Sequence, residues 1–383
     1  MLRFILRRIG RALITLILYQ SLLFLLIYAL PGDFVSTMIG LPLPLRQGLR
    51  AVLGLNAPWW QQYLRWMGQF FTGNLGTTYQ FPHRPVSGVL RDLAPPTLFL
   101  FLPATLLAFG LGIWLGKFTG WSLGKGGRLC SAAEGSLIAL AVMAYNSFPL
   151  WLAFVLVQIF ALRLRWFPAE NVISFHRWST APISSDLVMA LLLLTGILLI
   201  TGCAWIGRLT RRRGYHWLRR AGILAFGALI FGGWYLSGLA PLALDLLWHL
   251  ALPLTTVVLF SFGETMLLMR LLMRQMADED YVFVARAKGL PPRQIRDHYL
   301  ARLAVIPVLS RLLIQLPFVL LGSLVVETAF FWKGLGSALL TAIDFQDIPV
   351  IMALLSLVGV LMLIAHIAID ILHAWLDPRV RAQ

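Results

Sequence analysis

Asp280-Tyr281-Val282-Phe283-Val284-Ala285-Arg286-Ala287-Lys288-Gly289 is a polar island in a chain that is otherwise mostly apolar. A charged turn and helix come after it, then Ile306-Pro307, and long hydrophobic runs flank the whole. So much charge must lie outside lipid, because one ionised side chain at the bilayer centre costs about 3 kcal/mol or more. The alternation of small and basic residues suits a helix that docks onto a partner protein.

Working outward, 59% hydrophobic and 13% charged residues, with a mean hydropathy of +0.80, exclude a soluble domain and indicate an all-α polytopic membrane protein. The runs are long and lack a period of two, so helices are expected rather than barrel strands. A crossing needs about 20 apolar residues. Eight runs qualify, at about 9–30, 98–120, 133–162, 186–206, 221–240, 249–274, 304–330 and 348–375. The net charge of +16 would suggest nucleic-acid binding in a soluble protein. Here the basic residues sort into alternate loops, so no nucleic acid is expected as a partner and lipid is.

Arg3, Arg7, Arg8 and Arg11 precede the first run, and Lys117, Lys125 and Arg128 surround the second connection. Arg208, Arg211, Arg212, Arg213, Arg219 and Arg220, then Arg270 to Arg302, then Arg379 and Arg381 fall on the same side by parity. The positive-inside rule makes that side, and both termini, cytoplasmic. The segment 31–97 is placed outside despite its arginines, because long loops escape the rule. The first run exceeds a signal-peptide core, so it reads as an uncleaved helix. Cys130 and Cys203 imply neither a disulfide framework nor a metal site.

On this topology residues 275–303 form a cytoplasmic loop of two helices. Gly289 ends the first, and Pro291-Pro292 start the second, where a missing donor costs nothing. Ile306-Pro307 is expected where the next membrane helix begins, so that the chain can reorient there without breaking a helical ladder.

The loop resembles that of permease subunits of binding-protein-dependent ABC importers, in the dipeptide, oligopeptide and nickel branch. Asp280, Tyr281, Val282, Ala285, Arg286, Ala287, Lys288 and Gly289 follow that family's pattern, with Arg302, Ile306 and Pro307 beyond. Phe283 and Val284 stand where polar or small residues are usual, and Leu303 where Asn is typical. Leu2-Arg3-Phe4-Ile5-Leu6-Arg7-Arg8, Pro31-Gly32-Asp33, Leu53-Gly54-Leu55-Asn56-Ala57-Pro58, Gln62-Tyr63-Leu64-Arg65-Trp66 and Gly73-Asn74-Leu75-Gly76 are similar too. So are Glu327-Thr328-Ala329-Phe330, Gly334-Leu335-Gly336, Pro349-Val350 and Asp377-Pro378-Arg379-Val380-Arg381.

The resemblance implies a type I importer permease in a prokaryotic inner membrane. Its core would be six helices, with the loop as the segment that couples to ATP hydrolysis. Partners would be a related second permease, two ABC ATPase subunits or domains, and an extracytoplasmic solute-binding protein. ATP and Mg would sit on the ATPases, with no cofactor on this chain and no enzymatic activity of its own. Solutes would be di- or oligopeptides, or within the same family nickel chelates, glutathione or oligosaccharides.

The organisation expected is a first helix (1–30), an extracytoplasmic segment (31–97), core helices (98–170), an inserted two-helix hairpin (171–246) and a second core block (247–383). Two extra spans preserve the parity of the later spans. The hairpin reads as a peripheral pair or as a docking or regulatory element.

Gly112, Gly116 and Gly120 recur every four residues, which lets helices approach closely, or marks a hinge. Glu264, an ionisable group inside a span, is expected to line the solute path or to pair with Arg270 or Arg274. Glu327 is a second pathway candidate, or an interfacial cap like Asp370. His366 and His373 lie about 10 Å apart along one helix, too far to share a metal. Gly120-Trp121-Ser122-Leu123-Gly124-Lys125-Gly126 is one residue short of a phosphate loop and lacks the Ser/Thr after Lys. A secondary transporter would show inverted repeats with ion ligands at the midplane, which this sequence lacks.

Overall fold

A computed structural model describes residues 2–38, 40–80, 83–121, 128–168, 172–179, 181–211 and 216–376. Lys125, Arg212, Arg213 and the Asp377–Arg381 motif lie outside the described residues. The chain opens with α1 (Leu2–Tyr28), then α2 (Phe34–Thr37), α3 (Leu43–Val52) and α4 (Trp59–Phe71) at one face. It continues through α5 (Val86–Trp121), α6 (Arg128–Asn146), α7 (Pro149–Leu156, prolonged by a π-helical turn to Arg163) and α8 (Phe175–Trp178). Then come α9 (Ser185–Arg211), α10 (His216–Leu236), α11 (Ala240–Ala277) and α12 (Asp280–Ala287). The last are α13 (Pro292–Gln294), a π-helical turn (Ile295–Leu300), α14 (Ala301–Ala329), α15 (Leu335–Asp344) and α16 (Ile348–Leu376). No strand occurs among the described residues beyond one isolated bridge, Thr77 to Pro85.

Among the described residues, six helices are long and apolar enough to cross a bilayer, within α1, α5, α9, α11, the α13–α14 run and α16. One of the eight runs differs from expectation. The run 133–162 is broken, with Ala132–Asn146 and Pro149–Arg163 bent by 112°. The cause is local: Pro149 forces Phe148 out of helical geometry, to φ −69 and ψ 125. The bent pair and the residues after it nevertheless lead from one end of α11 to the other. Arg270 Nη2 bonds Glu134 at one end, 2.9 Å, and the rings of Phe167 and Trp248 meet at 4.9 Å at the other. On the continuous helix α11, Trp248 and Arg270 are about 33 Å apart. The run 221–240 is α10, His216–Leu236, 21 residues and about 32 Å long. It lies antiparallel on α9, Gly202 facing Phe226 and Gly222 facing Ile206. The residues from Ala240 onward, placed by sequence in the hairpin segment, already belong to α11.

α11 is the central post, with α5, α6, α7 and α14 around it. Its crossing with α5 is close because the ridge offered by α5 is glycine. A Cβ added at Gly116 would stand 2.6 Å from the Met266 carbonyl and 2.7 Å from Met269 Cβ. At Gly112 and Gly120 it would stand 2.6 Å from Thr265 Cβ and 2.7 Å from Met273 Cβ. The glycines thus serve backbone packing. The hairpin joins the same core through Val188 and Met189 of α9, which cluster with Phe99, Leu246 and Leu250.

Ile306-Pro307 corrects the sequence reading. The helical run from Pro292 to Ala329 is uninterrupted, and Pro307 lies inside α14 rather than at its start. A proline there removes one ladder bond, to Leu303, which a helix packed among other helices tolerates.

Gly116→Leu is expected to destabilise the detergent-solubilised protein by about 3 kcal/mol, as overpacking against backbone does. Gly110→Ala, with nothing within 4 Å of the added carbon, is expected to leave the melting temperature unchanged. Equal melting temperatures for the two variants would refute the close crossing.

Candidate functional site

The polar island is a short helix held by its apolar face. Val282 and Ala285, three residues apart, are buried among Met269 and Met273 of α11 and Ile295 and Leu300 of the π-helical turn. The helix starts at Glu279, whose carbonyl accepts from Val282, and ends at Gly289, whose φ of +71 reverses the chain. Asp280, Phe283, Val284, Arg286, Ala287, Lys288 and Gly289 are exposed. Phe283 at 75% and Val284 at 48% form an apolar patch beside Arg286 and Lys288. Tyr281 is half-buried, and its hydroxyl is buried with no hydrogen-bond partner among the described residues. Burial, and secondarily the Glu279 charge, push its pKa up.

The turn after Gly289 leads straight into the helical run to Ala329. That run is clamped to the end of α5. Lys117 Nζ lies 3.1 Å from Asp297, which Arg296 also binds through two nitrogens at 2.8 Å, and the Arg296 guanidinium sits 4.6 Å above the Phe118 ring. Arg302 and Pro307 are exposed farther along the same run and Ile306 is half-buried. The structure therefore brings 280–289 onto one short helix and sets Arg302, Ile306 and Pro307 on its continuation.

Glu264 lies elsewhere, on α11, and lines a cavity of about 310 Å³ among α5, the α6–α7 break and α14. Its partners are not those considered from sequence. Arg270 and Arg274 both bond Glu134 of α6, at 2.9 and 3.4 Å. Glu264 instead accepts from Arg311 Nε and Nη2 at 2.9 and 2.7 Å, and from Gln315 Nε2 at 2.6 Å. Sequence reading missed Arg311 and Gln315. A lone arginine inside the apolar run 304–330 is itself the signal that would have found the first.

Glu327 does not line that cavity. It is fully buried where α5, α14 and α15 meet: Thr97 Oγ1 donates to Oε1 at 2.7 Å and the Ser337 amide to Oε2 at 2.8 Å. Thr97 Oγ1 in turn accepts from the Leu335 amide at 2.8 Å. The carboxylate thus serves the N-terminus of α15, where free amides and the helix dipole favour a negative charge. Asp370 pairs with Arg8 of α1, and His366 Nδ1 lies 2.8 Å from the Met362 carbonyl; the His373 side chain is outside the described residues.

Residues 135–382 match the family described as binding-protein-dependent transport system inner membrane component. Residues 1–92 match its N-terminal companion. A di/tripeptide transport system permease protein of Pseudomonas aeruginosa is 29% identical over 387 residues, covering 100% of both chains. The dipeptide transport system permease protein of Escherichia coli is 26% identical over 389 residues, covering 100% of this chain and 99% of its own. A putative peptide permease of Brucella ovis is 26% identical over 388 residues, with the same coverage.

Removing the buried carboxylate in Glu327→Ala orphans the Ser337 amide and takes from Thr97 its 2.7 Å acceptor, and is expected to cost about 3 kcal/mol. Tyr281→Phe removes an unpaired hydroxyl and is expected to stabilise by about 1 kcal/mol. Thermal melting of the purified protein checks both, and opposite signs are required.

Proposed function

The chain belongs to the family of binding-protein-dependent transport system inner membrane components, and from that premise we propose that it is the permease through which an ATP-driven importer passes short peptides. Peptide as the solute is supported by the relatives above, which carry peptide or dipeptide in their names and align along the whole chain. Membership makes it a multi-pass inner-membrane protein that works with a binding protein and ATPases.

In this reading the α12 face is cytoplasmic, as are both termini, and α2 to α4 lie outside, where a loaded binding protein docks. ATP and Mg are held by two ATPase partners, and a second permease completes the pore. The observation that carries the reading is the placement of α12. Its exposed face offers Phe283, Val284, Arg286 and Lys288 to a partner, while its buried face is fixed to α11 and to the run that becomes α14. A push on α12 therefore cannot be absorbed locally. It passes through Val282 and Ala285 into α11, and through the Asp297 clamp into α5 and α14, the helices that surround the Glu264 cavity. Tilting of such packed helices is a recurrent way to alternate access.

Gly289→Arg puts a side chain at a left-handed position, a strain of about 1–2 kcal/mol, and adds charge at the docking edge. Phe283→Asp places a charge in the apolar patch. Both variants are expected to fold, with unchanged α-helical circular dichroism, yet to copurify with less ATPase subunit and to lose binding-protein-dependent uptake in proteoliposomes. Uptake and ATPase content equal to wild type in both variants would overturn the docking role of α12.

A further inference from the structure

Arg311 is half exposed, at 50% of its side chain, although it lies in a membrane-spanning run. A guanidinium cannot rest in hydrocarbon, so this face of α14 meets water, a polar solute or a partner subunit. Its partner Glu264 lies about 24 Å along α11 from Trp248 and about 9 Å from Arg270, in the third of the membrane nearest α12. Glu264 lines the cavity and Arg311 is bonded to it, so the pair stands at the α12 side of that space.

Neither partner is saturated. A carboxylate offers about four acceptor sites; Glu264 Oε1 takes two donors from Arg311, and Oε2 takes one from Gln315. A guanidinium carries five N–H donors, and Arg311 spends those of Nε and Nη2 on Glu264. The remaining capacity of Glu264 borders an aromatic-walled space, with Phe101 and Phe109 from α5, Tyr145 and Phe148 flanking the α6–α7 break, and Phe260 from α11. A carboxylate among aromatic faces attracts an organic ammonium, by ion pairing and by the ring quadrupoles. The adjacent guanidinium suits a carboxylate. The cavity volume of about 310 Å³ is in the range of small-molecule sites.

We propose that Glu264 and Arg311 form a transit site for the two charged ends of a short peptide, Glu264 taking the α-ammonium and Arg311 the α-carboxylate. This rests on the peptide-permease reading and adds to it a solute-contacting pair within the membrane. The physical need is plain: a zwitterion stripped of water in a low-dielectric passage is costly unless both charges find partners. A binding protein selects the solute outside, and the pair selects again on the way through.

The test uses the complete transporter, with its second permease, ATPases and binding protein, in proteoliposomes. Uptake of tritiated alanyl-alanine is measured per ATP hydrolysed, alongside the melting temperature. Glu264→Gln and Arg311→Gln are expected to lower uptake per ATP about tenfold, the size of a lost charge-assisted hydrogen bond. The exchanged double variant, Glu264→Arg with Arg311→Glu, restores the ion pair but puts each charge in the other's place. It is expected to recover the melting temperature while uptake stays about tenfold down. Recovery of both would make the pair a structural bridge only and overturn the proposal. Wild-type uptake by Glu264→Gln would overturn it as well, without needing the double variant to fold. Dipeptide uptake by the wild-type transporter is the separate check on the peptide reading, so failure of that reading shows in the parent protein and failure of the site only in the variants.

Discussion

The close crossing of α5 and α11 is the constraint on which the rest depends. Three glycines on one ridge of α5 let its backbone approach that of α11, with Gly116 directly over the Met266 carbonyl. In lipid this contact cannot draw on the hydrophobic effect, so packing at short range has to supply the attraction. Locking α5 to α11 sets the positions of three features. The C-terminal end of α11 seats α12 through Met269 and Met273. The middle of α11 places Glu264 on the cavity, and its first turns hold Leu246 and Leu250 against the hairpin helix α9.

Three charge clusters are handled by one device. Glu264 meets Arg311, Glu134 meets Arg270 and Arg274, and Asp297 meets Lys117, each across two elements distant in sequence. A charge inside or beside a membrane is tolerable only when partnered. These bonds therefore fix which helices are neighbours as much as they neutralise charge. Two of them flank the route from α12 to the cavity: the Asp297 clamp holds α5 to the run that becomes α14, and Glu264 holds α11 to α14.

The proline sites show how local chemistry and packing divide the work. Phe148-Pro149 breaks a crossing helix because the residue before proline is pushed out of helical geometry and no competing ladder restores it. Pro307 breaks nothing, because a helix already nucleated at Pro292 and packed against α5 and α11 carries the chain through. The two sites look alike in sequence, each a proline within an apolar stretch. What separates them is the tertiary surrounding.

The amino-acid sequence by itself determined that the chain is helical and membrane-spanning, and that 280–289 is a short helix closed by Gly289. It also determined that α5 carries a ridge of glycines. Each is a local matter, set by hydropathy over about 20 residues, by a left-handed turn or by a four-residue spacing. The same holds for the family resemblance, which rests on contiguous motifs. Only the tertiary structure decided that Glu264 pairs with Arg311 rather than Arg270, that Glu327 anchors α15 instead of lining the cavity, and that the run 133–162 is bent between α6 and α7. The reason is that an ion pair joins residues 47 positions apart, or 136, with no periodicity to announce it. Which of several carboxylates meets which cation is settled by the helix neighbours, and those are chosen by close packing that no local stretch encodes.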